Sequence, residues 1–277
     1  IPHYVLNYRD EFQVEVIDLF VREYLAGRTP NPCIECNRRL KFGSLLDKAL
    51  AMGFDYIATG HYARIQRRNG EYLLLTGVDP KKDQSYFLYA MNQHQLAHTL
   101  LPLGEYRKTE VRAMAEDAGL PVAQKSESQE ICFVSSGSYG DFVEQYTGKV
   151  PRPGQFRLTN GEYLGPHRGI HRYTIGQRKG LGISLGKPVF VTRIDAGTRE
   201  VWLGENHELF KPGLVAEQVN YISGVPFSGP TQVTAKIRSA APRVKATATP
   251  LENQRLQVLF EEPQRAITPG QAVVLYD

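Results

Sequence analysis

Apolar residues recur at helical spacing in the first half of the chain and alternate in short runs in the second. Over residues 10–26, Phe12, Val16, Leu19, Phe20 and Tyr24 fall on one stripe, and Gly27 marks its end. The next stretch, Arg28-Thr29-Pro30-Asn31-Pro32, is expected to be non-helical because two prolines bracket one residue. A second helix is predicted over 37–52 from Leu40, Leu45, Ala49 and Leu50, stopped by Gly53. Tyr56-Ile57-Ala58-Thr59 then reads as a buried strand ending at Gly60-His61, and helix followed by strand implies an α/β layer. A third helix is predicted over 108–118, with Thr109 as its N-cap and Gly119 closing it.

Beyond about residue 150 the runs shorten. Residues 156–158 and 162–164 flank Asn160-Gly161, a strong hairpin signal. Residues 189–194 and 200–203 form a second hairpin pattern, and 232–238, 243–249, 255–260 and 272–276 read as strands at the spacing of a small barrel. No internal repeat and no low-complexity segment interrupts this order.

Composition narrows the class. With 277 residues, 42% hydrophobic and 22% charged, the chain is that of an ordinary globular protein long enough for about two cores. No run approaches the ~18–20 apolar residues of a membrane span, and Ile1-Pro2-His3-Tyr4-Val5 lacks a signal-peptide pattern, so a cytoplasmic location without membrane attachment is expected. Charge is uneven: residues 1–150 carry 17 Lys and Arg against 19 Asp and Glu, and residues 151–277 carry 16 against 10. Between Arg152 and Arg193, eight basic residues face the single acid Glu162. That run is either a solvated face or the footprint of a polyanion.

Three cysteines are too few, and odd in number, for a disulfide framework. Cys33 and Cys36 form a C-x-x-C, with Cys36 expected beside a helix N-terminus, where the dipole favours a nucleophilic thiolate. Cys132 follows 96 residues later, either as a reactive thiol or as a small core residue between Ile131 and Phe133. A structural zinc site lacks a second ligand pair, and no early βαβ unit supports a thioredoxin-like role. The stretch from Gly180 to Pro188 resembles a phosphate-binding P-loop, but five residues separate Gly180 from Gly186 where that loop has four, and Pro188 stands where a Mg²⁺-binding hydroxyl belongs.

In order along the chain stand Gly27-Arg28-Thr29-Pro30-Asn31-Pro32-Cys33-x-x-Cys36-Asn37, Lys41-Phe42, Ala58-Thr59-Gly60-His61-Tyr62, Lys82-Asp83-Gln84-Ser85-Tyr86-Phe87-Leu88, Ser128-Gln129-Glu130-Ile131-Cys132-Phe133, Tyr173-Thr174-Ile175-Gly176-Gln177-Arg178-Lys179-Gly180-Leu181-Gly182 and Thr268-Pro269-Gly270-Gln271. These seven collinear blocks resemble the bacterial tRNA-specific 2-thiouridylase family over essentially the whole chain. The resemblance implies an α/β fold: the remainder of an adenine-nucleotide alpha-hydrolase-like ATP-pyrophosphatase domain (1–142), a small central tRNA-binding domain (143–208) and a C-terminal β-barrel (209–277).

It also implies a reaction, the replacement of O2 of the wobble uridine, position 34 of tRNA, by sulfur. ATP with Mg²⁺ activates the base oxygen, a persulfide on Cys132 supplies sulfur, and Cys36 releases it through a disulfide. Asn31, Pro32 and Cys33 match the segment against the target base, and Gly60 matches an ATP-contacting glycine. His61, Lys82, Asp83, Gln84, Arg238, Ser239 and Gln271 match tRNA-contacting positions. The implied partners are tRNAs for Lys, Glu and Gln and a cysteine desulfurase or sulfur-relay protein, with the chain a monomer. Many family members have Asp where this chain has Cys33, so Cys33, Cys36 and Cys132 also make a three-thiolate set suited to an iron–sulfur cluster, the alternative route to the same product. The family's Ser-Gly-Gly-x-Asp-Ser ATP loop and its last strand lie outside the chain, which by the resemblance is expected to be inactive without that loop. A non-catalytic tRNA-binding module is the remaining alternative.

Overall fold

A computed structural model describes residues 2–121, 123–124, 131–134, 137–149 and 151–277. The chain divides into two compact units, each assembled from separate stretches. The first holds 1–16, 32–131 and 219–226, and the second holds 17–31, 132–218 and 227–277.

The first helix is present, running over 9–25 as consecutive segments Arg9–Phe12, Gln13–Asp18 and Leu19–Leu25. Val16, Phe20 and Tyr24 of the expected stripe are buried, joined by Val21, whereas Phe12 and Leu19 are only partly covered. Gly27, at φ +71°, ends the helix in the left-handed region.

The prolines behave differently from expectation. Pro32 is not outside a helix but opens one, Pro32–Glu35, as proline does at a first helical position, where its missing N–H costs nothing. The helix continues through Cys36–Ser44, in a widened turn, to Leu45–Ala51. Gly43, at φ −102° and ψ −108°, bends it. That bend turns Leu46, rather than the expected Leu45, fully inward beside Phe42. The helix expected over 108–118 is Lys108–Asp117. Thr109 lies inside it and is not its cap. Arg107 takes the N-cap position, its N–H donating to the Glu110 carboxylate at 2.5 Å, and Asp79 accepts from Lys108 N at 3.1 Å.

In the first unit, β1 (Ile57–Ala58) is shorter than expected, and its partner lies far along the chain. It pairs in parallel with β4 (Thr99–Leu100), as an α/β layer requires. Between them β2 (Ala63–Arg68) and β3 (Glu71–Thr76) form an antiparallel hairpin. Its turn is Asn69-Gly70, both at positive φ, the pairing that a two-residue hairpin demands. Phe42, Leu46, Ile57, Ala63, Leu88, Met91, Leu96 and Leu101 form the core, each large side chain contributing about 1.5–3 kcal/mol by leaving water.

In the second unit, a four-stranded sheet has the order β6-β5-β8-β7, from β5 (Gly154–Leu158), β6 (Tyr163–His167), β7 (Phe190–Asp195) and β8 (Glu200–Gly204). Both expected hairpins are present. The first turns over Thr159-Asn160-Gly161, with Leu158 N donating to Glu162 O at 2.8 Å and Gly161 at φ +93°. β5 and β8 run parallel, a long-range pairing. The core under this sheet includes Phe156, Tyr173, Val191, Val201 and Leu203.

The last sheet has the order β13-β10-β11-β12-β9, all antiparallel: β9 (Phe210–Ala216), β10 (Thr231–Lys236), β11 (Val244–Leu251), β12 (Arg255–Arg265) and β13 (Val274–Tyr276). β9 was unexpected because it contains Pro212 and Gly213. It lies at an edge, where a missing N–H costs no ladder bond, and a Cβ on Gly213 would stand 2.6 Å from Val258 O. Among the described residues no helix is long and apolar enough to cross a membrane.

Candidate functional site

Within the first unit, the helix from Pro32, the segment after β1 and the loop Lys82–Leu88 are tied into one surface. Pro32 is buried at the helix start, Cys33 is exposed in its first turn, and Cys36 is half-buried one turn on. The expectation that Cys36 sits at the helix N-terminus is therefore corrected: the helix begins at Pro32, and the dipole acts most directly on Cys33. Asn37, 3% exposed, donates from Nδ2 to Phe87 O at 3.2 Å and so binds the cysteine turn to the loop.

That loop is pinned in turn to Tyr62, between β1 and β2. Tyr62 N donates to Gln84 Oε1 at 2.9 Å, and Gln84 N donates to Tyr62 O at 2.8 Å. Asp83 accepts from Gly77 N and Ser85 N at 3.1 Å each and from the Ser85 hydroxyl at 2.9 Å. The Asp83 carboxylate and the Gln84 carbonyl thus shape the loop. Lys82 is half-covered beside them, its N–H on Asp79 O at 3.1 Å.

His61 is buried, its Nδ1 2.8 Å from Thr59 Oγ1 and its ring 5.7 Å from that of Phe42. Burial, reinforced by Lys41, pushes its pKa down to about 4, so the ring is neutral at pH 7. Because this value lies below the ordinary one near 6.5, the stability His61 confers is complete above about pH 6.5 and is lost as pH falls toward 4. Thermal unfolding of the wild type is expected to shift downward over that interval by the equivalent of a few kcal/mol. His61→Gln is expected to flatten that part of the curve; an unchanged slope would place the proton uptake elsewhere.

Gly60 is exposed just past the C-terminal end of β1, where parallel strands open a crevice for ligands. A Cβ there would meet only Leu103 Cδ1, at 3.5 Å, an ordinary contact. The fold itself does not require glycine at this position, and the absent side chain leaves room for a close-lying ligand such as a nucleotide.

In the second unit, Cys132 is exposed, which removes its reading as a core residue. The neighbouring Phe133 is the residue that packs, edge-on to Phe20 at 5.3 Å and tilted against Phe142 at 5.3 Å. Phe142 lies on a helix, Tyr139–Thr147, capped by Ser138 and Asp141. Sequence reasoning overlooked this helix, although Ser138, Asp141 and Gly148 were its signal. The Ser128-Gln129-Glu130 part of the block around Cys132 lies outside the described residues.

Asn31 is half-buried at the end of its stretch of this unit. The guanidinium of Arg238 donates to Ala266 O at 2.5 Å, to Ile175 O at 3.3 Å and to the Thr268 hydroxyl. Gln271 Nε2 donates to Thr29 O at 2.7 Å. Ser239 is half-covered beside Arg238.

None of the three cysteines is in a disulfide. Cys33 and Cys36 belong to the first unit and Cys132 to the second. Among the described residues, no three His, Cys, Asp or Glu side chains gather as a metal-ligand group.

Three family models cover the chain in succession: a tRNA methyl transferase HUP domain over residues 1–136, a tRNA methyl transferase PRC-barrel domain over 140–205 and an aminomethyltransferase beta-barrel domain over 211–277. The α/β unit and the two β-rich regions are thus those of a HUP domain, a PRC-barrel and a β-barrel domain. The chain is 56% identical to the tRNA-specific 2-thiouridylase MnmA of Moorella thermoacetica over 278 residues, all of this chain and 78% of that protein. It is 52% identical to the protein of the same name from Clostridium beijerinckii and 53% identical to that from Acetivibrio thermocellus, again over the whole chain and 77% and 78% of theirs. Identity above half, sustained from end to end across all three domains, shows that this chain belongs to the tRNA-specific 2-thiouridylase family.

Proposed function

We propose that the protein is a tRNA sulfurtransferase that converts the wobble uridine, position 34, to 2-thiouridine. The observation that carries this reading is the end-to-end identity to proteins named for that activity. The family models carry methyl-transfer names, and what favours sulfur transfer is the chemistry of the thiols: an exposed Cys132 and a half-buried Cys36, neither in a disulfide.

The proposed steps balance as follows. O2 of uridine attacks the α-phosphorus of ATP and expels pyrophosphate, which makes a poor leaving group into a good one. The terminal sulfur of a Cys132 persulfide attacks C2, and AMP departs with O2. The Cys36 thiolate then attacks Cys132 Sγ, the S–S bond to the base breaks, and its electrons form the C2 thiocarbonyl. A Cys36–Cys132 disulfide remains for an external thiol to reduce. On this reading the disulfide is a passing state.

Asn31, Pro32 and Cys33 would line the extruded base, since a base in the anticodon loop must leave its stack to react. ATP with Mg²⁺ would lie across Gly60. His61, Lys82, Asp83, Gln84, Arg238, Ser239 and Gln271 would shape the tRNA-facing surface, with Asp83 and Gln84 acting by holding backbone in place. The basic run from Arg152 to Arg193 adds phosphate attraction and belongs, on this reading, to a central domain over 143–208. Sulfur would arrive from a cysteine desulfurase or relay protein.

The test is ATP-dependent formation of 2-thiouridine in tRNA for Lys, Glu or Gln by the anaerobically purified full-length protein, with iron analysis. Thiolation by iron-free protein supports the persulfide route. Activity proportional to bound iron would replace it with cluster chemistry on Cys33, Cys36 and Cys132. In the same assay Gly60→Ala is expected to keep the melting temperature within a few degrees while raising the KM for ATP at least about tenfold, because the added methyl meets little protein. An unchanged KM would remove Gly60 from the nucleotide site.

A further inference from the structure

Three stretches far apart in sequence meet at Thr29 of the second unit. Its N–H donates to Pro269 O at 2.9 Å, its carbonyl accepts from Gln271 Nε2 at 2.7 Å, and its Oγ1 lies 3.0 Å from Thr174 Oγ1. Gly270, at φ +92°, lies so close that a Cβ on it would stand 2.9 Å from Thr29 N and 3.0 Å from its carbonyl oxygen. The preceding residues are held as firmly. Gly27, at φ +71°, has no room for a Cβ, which would meet Ile194 at 2.7 Å, and Arg28 pairs with Glu23 through both carboxylate oxygens. Arg238 fastens the other side of the node through Ala266 O, Thr268 Oγ1 and Ile175 O.

Loops that connect elements are ordinarily the least restrained backbone of a protein. Here the N–H, carbonyl and hydroxyl of Thr29 are each engaged by a different group, two residues before Asn31. Restraint of this kind holds a reacting segment in its productive geometry before the substrate arrives.

We propose that Gln271, with Gly270 and Arg238, is a positioning device: the turn 266–271 holds the backbone of Thr29 and thereby the target-base segment beginning at Asn31, so that Gln271 acts on thiolation through Thr29 and not as a direct tRNA contact. This rests on the thiouridylase reading above and assigns one side chain within it a different part. Its amide N–H already points at a protein carbonyl.

Gln271→Glu tests it, since that substitution keeps the shape and replaces the donor by an acceptor facing the Thr29 carbonyl. Gly270→Ala, which drives a methyl into Thr29, is the second variant. Amide hydrogen exchange of peptides covering 28–34 is expected to quicken at least about tenfold in both, while peptides from β11 and β12 exchange as in the wild type. The tRNA Kd is expected to stay within about twofold, and kcat for thiolation to fall at least about tenfold at unchanged KM for tRNA. Exchange as in the wild type together with a tenfold weaker tRNA Kd would overturn the proposal and make Gln271 a direct contact. If wild-type protein forms no 2-thiouridine, the thiouridylase reading fails, while the exchange result still decides whether the turn holds the segment.

Discussion

Cys132→Ser is expected to abolish 2-thiouridine formation, with a loss of at least about 10³-fold in kcat, while tRNA affinity stays within about twofold of wild type. A serine hydroxyl cannot carry a transferable sulfur, so the step disappears instead of slowing. Burial adds nothing to the effect. Cys132 is exposed, and the packing at this point is made by Phe133 against Phe20 and Phe142. The melting temperature should therefore hardly move. Transfer of ³⁵S from cysteine through a desulfurase checks the same point without ATP, since label should accumulate on wild-type protein and not on the variant. A variant that still takes up label and thiolates tRNA would remove Cys132 from the reaction and assign the sulfur to another thiol.

The largest structural effect is expected from Gly104→Ala. Gly104 is buried in the short turn Pro102–Glu105 after β4, and a Cβ there would fall 1.8 Å from Ala63 O and 2.6 Å from Ala63 C. Both are backbone atoms at the start of β2, so no side-chain rotation relieves the clash and one strand must shift. The displaced contacts include the Val78 N to Gly104 O bond of 2.9 Å. A cost of about 3 kcal/mol or more is expected, or roughly 10 °C in the melting temperature of this unit. Calorimetry checks it, with Gly60→Ala as the control, whose Cβ meets one methyl at 3.5 Å. If the two variants melt together, the close approach at Gly104 is not a constraint on the fold.

The two glycines show how much of the site was legible beforehand. Gly60 lies in a recognisable block and Gly104 in none, yet Gly104 is the one the packing demands. Its need arises from Ala63, 41 positions away, and no local pattern reports that distance. Similarly, the β2–β3 hairpin carried its signal in Asn69-Gly70, whereas β9 was hidden because its Pro212 and Gly213 break local strand propensity and are acceptable only at a sheet edge.

By itself the sequence determined what depends on neighbours along the chain. The stripe of Val16, Phe20 and Tyr24, the stop at Gly27, the turn at Asn160-Gly161 and the β-rich second half all follow from periodicity and turn chemistry. The order of the motif blocks identified the family, because collinear blocks over a whole chain do not arise by chance. The tertiary structure decided what depends on distant partners. It placed Pro32 at a helix start, rotated Leu46 inward through the bend at Gly43, left Cys132 exposed and packed its neighbour Phe133 instead. It also engaged Asp83, Gln84, Arg238 and Gln271 in holding backbone groups of the protein. The physical reason is common to all of these: a hydrogen-bonding side chain is committed by whichever donor or acceptor the fold brings within about 3 Å, and that partner is set by long-range packing.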